Sequence, residues 1–89
     1  MLVISYDIAD DLTRSRFNRM LLKQGAIRLQ YSVYEMVNSK RIVDNLLVQI
    51  QHFAKRFTKD DSIIIFDVDK KNLVKYGSAI HMDQDIVFI

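Results

Sequence analysis

The 89-residue chain has no cysteine, which removes a disulfide framework, a thiolate zinc site and a thiol nucleophile together. It has no proline, and no repeat, low-complexity tract or linker divides it. Gly25 and Gly77 are its only glycines, so no phosphate-binding glycine loop exists. No serine sits in a nucleophile elbow. The apolar runs are far too short to span a membrane, and the N-terminus has no basic region followed by a cleavage site. The expectation is a soluble, cytoplasmic protein with no membrane partner. Charge of one sign is not in marked excess: the formal net charge is only +2. Any nucleic-acid surface must therefore come from clustering of cations.

What is present suits one small domain spanning residues 1–89. A chain this short buries a little over ~60% of its unfolded surface, so its core is thin. Apolar residues make up 49% of it, ample for a globular fold and a hint that some apolar surface meets a second copy.

Leu2, Val3 and Ile4 read as a buried strand running to Asp7. Asp10 or Asp11 can cap a helix that continues to about Gln24. Phe17, Met20, Leu21 and Gln24 share one face of it, and Gly25 suits the left-handed position that follows. From Ile27 the apolar residues alternate through Leu29, Tyr31 and Val33, then change phase to Tyr34 and Met36. The phase change predicts a bulge or turn near Tyr31 and Ser32, and hence two short strands. Ser39 can cap a second helix running to about Phe57, with Val43, Leu46, Leu47, Ile50, Ala54 and Phe57 as its apolar stripe. Ser62 to Val68 is a second buried strand. The stretch from Lys70 to Gln84 has no recognisable pattern. Asp85 to Ile89 reads as a last short strand. The order is that of an α+β, ferredoxin-like βαββαβ sandwich with an extra C-terminal strand. Pairing that strand with another copy of the chain would protect its edge.

The segment from Leu2 to Arg16 carries the chemistry. A carboxylate, Asp7, ends a central strand beside a helix bearing Arg14, Arg16 and Arg19. Carboxylate oxygens suit magnesium, and guanidinium forks match phosphate. The structural alternative is a polar strand end and an aspartate-rich helix cap.

Two stretches then resemble the signatures of the CRISPR-associated protein 2 family: YDIADDLTRSR at Tyr6 to Arg16, and GAIRLQYSVYE at Gly25 to Glu35. The resemblance implies a ferredoxin-like homodimer whose C-terminal strand, residues 85–89, crosses to the partner. It implies a small subunit that bridges dimers of the CRISPR-associated protein 1 integrase and holds duplex DNA during spacer acquisition. It also implies weak Mg2+-dependent endonuclease activity on single-stranded RNA or duplex DNA, with Asp7 as metal ligand and catalytic position. Arg14, Arg16 and Arg28 are the matching basic positions and Tyr34 the aromatic one.

Each position has an ordinary alternative. Arg16, Arg19 and Lys23, at i, i+3 and i+7, form either a phosphate-contacting stripe or a solvated face. Arg14 can pair with Asp7 or reach a phosphate, and Arg28 can make a cross-strand ion pair. Asp10 and Asp11 can add outer ligands or cap the helix. Tyr31 and Tyr34 are expected to pack. His52 is expected on a solvated face, and His81 with Asp83 is a weak metal pair. One rival function is a virulence-associated D-type ribonuclease toxin of the same fold. Another is a small-molecule regulatory module. An RNA-recognition version lacks the required glycine-aromatic signature.

Overall fold

The structure, a computed structural model, describes residues 1–79. Its elements are β1 (Leu2–Asp7), α1 (Asp11–Lys23), β2 (Ile27–Gln30), β3 (Val33–Met36), α2 (Lys40–Ala54) and β4 (Ser62–Asp67). Two short 3-10 turns follow, Lys70–Asn72 and Gly77–Ala79. The strands form one sheet in the order β2-β3-β1-β4, and every neighbouring pair is antiparallel. This is the ferredoxin-like α+β architecture that the element order predicts. The expected strand at residues 85–89 lies outside the described residues, as do His81 and Asp83.

Period-two alternation explains β1. Leu2, Ile4 and Tyr6 are buried beneath the helices, whereas Val3 and Ser5 are half-buried and Asp7 is exposed. Phe17, Met20 and Leu21 of α1 and Leu46 of α2 close the core over them, with Tyr34 and Met36 of β3. Each such large apolar side chain contributes roughly 1.5–3 kcal/mol by leaving water. Phe17 is the keystone: its ring meets Tyr6 edge-on at 4.8 Å and Phe53 at 5.2 Å.

The caps are those the sequence offers. Asp10 caps α1 and Ser39 caps α2. Gly25 takes φ +87° after α1, a conformation that a side chain would strain. The Gln24 side chain, at the end of α1, accepts a 2.9 Å bond from Asn45 on α2 and ties the helices together. The phase change near Tyr31 and Ser32 is a turn between β2 and β3, and the register also slips between Arg28 and Gln30.

Three details differ from the sequence reading. The expected buried strand at Ser62 to Val68 is instead an edge of the described sheet: in β4 only Ile63 and Ile65 are half-buried and the other residues are exposed. Helix α2 stops at Ala54, because Arg56 N–H and Phe57 N–H bond to Phe53 and Ala54 carbonyls and tighten the last turn. Its buried face is also rotated. Ile42, Val43, Ile50 and Phe53 flank Leu46 in the core, while Leu47 is 43% exposed and Ala54 faces solvent. A helix lying on a sheet buries one narrow wedge, and Leu46 sets its centre.

The other face of the sheet is partly crossed by the segment after β4. Lys75 Nζ lies 2.6 Å from the carboxylate of the buried Glu35, and the Lys75 side chain is largely covered. The remainder of that face leaves Ile64 and Phe66 about half exposed.

Candidate nucleic-acid interface and metal position

Asp7 sits at the exposed carboxyl end of β1, opposite Ser62 of β4. Strand alternation turns it toward the sheet face away from the helices. Its acidic neighbours are engaged elsewhere. Asp10 accepts 2.8 Å bonds from both the backbone N–H and the hydroxyl of Thr13. Those bonds hold its carboxyl below the ordinary range. Asp11 pairs with Arg14, one helical turn on. Among the described residues no group of three His, Asp or Glu side chains is placed to hold a metal ion.

Arg14 therefore takes Asp11 as its ionic partner rather than Asp7. Its guanidinium also donates to the carbonyls of Ile8 at 3.0 Å and Ala9 at 3.4 Å. It closes the loop between β1 and α1 from one side. Asp61 closes it from the other. This carboxylate accepts 2.9 Å bonds from Ala9 N–H and Thr58 N–H, which hold its own carboxyl below the ordinary range. In sequence, Lys59, Asp60 and Asp61 read only as a turn between the second helix and the strand from Ser62. A short acid just before an apolar strand was the available signal, but its partner lies 52 residues away.

Arg16, Arg19 and Lys23 are exposed along α1. They line one side of a groove of about 350 Å³ that Gln49 and Phe53 of α2 close on the other. Arg19 donates to Ser15 at 3.3 Å. None of the three cations forms an ion pair among the described residues.

Among the described residues Arg28 makes no cross-strand ion pair. It donates to the Gln30 carbonyl at 3.4 Å, and its guanidinium lies 5.2 Å from the centre of the Tyr31 ring. Tyr31 is 67% exposed, so it does not pack as expected. Tyr34 does: it is buried, its ring stacks on Tyr6 at 6.1 Å, and its hydroxyl donates to Asn18. Burial, reinforced by Tyr34, pushes the Tyr6 phenol up to about 12. These tyrosines and Arg14, Arg28, Asp11 and Asn18 surround a recess of about 200 Å³.

A family model described as CRISPR associated protein Cas2 matches residues 1–76. The chain belongs to the Cas2 family. Its role is therefore CRISPR-associated. The match takes in Asp7, the whole of α1 and both sequence stretches that suggested the family. Among solved structures, the chain is similar to a protein of Thermus thermophilus described as hypothetical protein TT1823. The two share 27% identity with a TM-score of 0.62, over 76% of this chain and 79% of that one. No curated protein matches the chain. Among the described residues no helix is long and apolar enough to cross a membrane.

Proposed function

We propose that this Cas2-family chain is a scaffold subunit of CRISPR spacer acquisition. It bridges dimers of the CRISPR-associated protein 1 integrase and binds duplex DNA through its backbone. The observation that carries this reading is the row of Arg16, Arg19 and Lys23, set along one helix with no acid pairing them among the described residues. Such a row neutralises phosphates without reading bases. A homodimer completes the reading. The half-exposed Ile64 and Phe66 support it, because apolar side chains clustered on an open sheet face favour a protein partner.

Weak endonuclease activity on single-stranded RNA or duplex DNA ranks second within this reading. Magnesium takes one or two carboxylates and keeps several waters. Asp7 would hold it, and the ion would supply a polarised water. One exposed carboxylate per chain fits that role only when a twofold axis brings a second Asp7 beside it. Two-metal phosphodiester chemistry needs such a symmetric clamp.

Asp7→Asn separates scaffold from enzyme. It keeps the side-chain shape and removes the charge. Any magnesium-dependent cleavage should disappear, while dimerisation, co-purification with the integrase and spacer integration persist. Loss of integration by an intact Asp7→Asn dimer would make chemistry at Asp7 the function instead.

A further inference from the structure

We propose that the nucleic-acid surface has a second wall, at the C-terminal end of α2: His52, Lys55 and Arg56 continue the phosphate track of Arg16 and Arg19. This inference rests on the duplex-binding reading and names residues that neither the family resemblance nor the α1 stripe supplies.

Two adjoining cavities are lined by residues of α1 and of the C-terminal half of α2. The first, already described, is bounded by Arg16, Arg19 and Lys23. The second, of about 290 Å³, is bounded by Arg16, His52, Phe53, Lys55 and Arg56. Arg16 and Phe53 line both, so the two adjoin. Among the described residues no acidic side chain lines either part. The α2 side chains are exposed, and none has an acidic partner among the described residues.

The arrangement fits a polyanion rather than a small anion. From Arg16 to Lys23 the α1 wall extends about 10 Å along the helix. Duplex DNA carries one phosphate per ~3.4 Å of axis on each strand, so this length matches about three phosphates. Cations spread along a line do not converge on one point, as a site for a single phosphate requires. An acidic protein segment is the weaker fit, because a docked peptide draws on apolar contact. Here the apolar floor is Met20 and Phe53, and both are committed to the core: Met20 is 8% exposed and Phe53 packs on Phe17.

Lys55 and Arg56 also lie where cations stabilise a helix C-terminus. The test therefore needs a thermal melt beside the binding curve. Compare four full-length proteins: unmodified, Arg16→Gln with Arg19→Gln, Lys55→Gln with Arg56→Gln, and Lys55→Arg with Arg56→Lys. Titrate each with a short duplex of arbitrary sequence at several salt concentrations, and assay integrase pull-down in parallel. Each phosphate that a variant no longer neutralises flattens log affinity against log salt by about 0.9. The α2 glutamine pair should flatten the slope by about as much as the α1 pair, without a matching loss of thermal stability. The charge-preserving pair should keep the slope. Flattening by the α1 pair alone would overturn the second wall and leave the proposed function standing. No salt-dependent binding by the unmodified protein would overturn both. An unchanged slope with lost integrase pull-down would assign the α2 wall to an acidic protein surface and overturn the inference.

Discussion

Phe17 holds α1 in the position that aligns its cations with α2, and Phe17→Leu should expose that dependence. Leucine retains most of the apolar bulk but has no ring. It forfeits two edge-on aromatic interactions, with Tyr6 and with Phe53. Each is worth about 0.5–1.5 kcal/mol beyond its buried area, so the loss is about 1–3 kcal/mol before any cavity forms. A domain of 89 residues unfolds with an entropy of about 0.2 kcal/mol per kelvin. One kcal/mol then corresponds to roughly 5 °C, and Phe17→Leu should melt about 5–15 °C lower. That is a serious fraction of the ~4–13 kcal/mol expected for the whole chain, but it leaves a folded protein. The measurement is thermal unfolding by circular dichroism at fixed protein concentration, because association shifts apparent stability. Combining it with Phe53→Leu in a double-mutant cycle isolates the ring pair, with an expected coupling of about 0.5–1.5 kcal/mol. A melt within about 2 °C of the unmodified protein, or additivity within ~0.3 kcal/mol, would refute the keystone role.

Tyr34→Phe keeps the stacked ring and removes the hydroxyl that donates to Asn18 and interacts with the Tyr6 phenol. It should cost about 0.5–1.5 kcal/mol in a denaturant titration, and a larger loss would mean that the hydroxyl does more than the structure shows. Asp61 has a depressed carboxyl in the folded state. Its contribution is present above the unfolded carboxylate value of 3.8 and is lost as pH falls through the lower folded value. Asp61→Asn should therefore flatten stability against pH below about pH 4; the same acid limb in both proteins would disprove the latch. Deleting residues 85–89 should convert a dimer to a monomer or aggregate in sedimentation, and an intact dimer afterwards would reject strand exchange.

The elements were legible because their signals are local. Asp10, Ser39 and Gly25 sit where caps must sit, and the apolar phase change betrayed the turn at Tyr31 and Ser32. The rotation of α2 was not legible. Leu47 and Phe53 are equally apolar in sequence, and only docking against β1 and α1 decides which one turns inward. The site divided the same way. Arg16, Arg19 and Lys23 form a stripe on one helix and can be read from spacing. Lys55 and Arg56 are a plain basic pair until α2 is laid beside α1. The Asp61 latch and the Lys75 bridge to Glu35 join residues far apart in the chain, and periodicity carries no information about such pairs. In sequence Arg14 reads as a partner for Asp7 or a phosphate, which misses its actual partner, Asp11. Helix geometry supplies that pair, since residues three apart share a face.

The placement of Asp7 relative to the cations bears directly on what the chain does. Strands β1 and β2 run parallel, each being antiparallel to β3. Helix α1 joins the end of one to the start of the other, so it runs back over the sheet. Each of its turns carries the stripe farther from the strand end that holds Asp7. The stripe also lies on the helical layer, while Asp7 alternates to the opposite face. A backbone docked along Arg16, Arg19 and Lys23 is thus led away from the carboxylate of its own chain. Cleavage would need a phosphodiester at Asp7, which the groove does not deliver. Binding needs only the groove. Under the proposed reading the two properties should separate under mutation, with binding surviving the loss of Asp7.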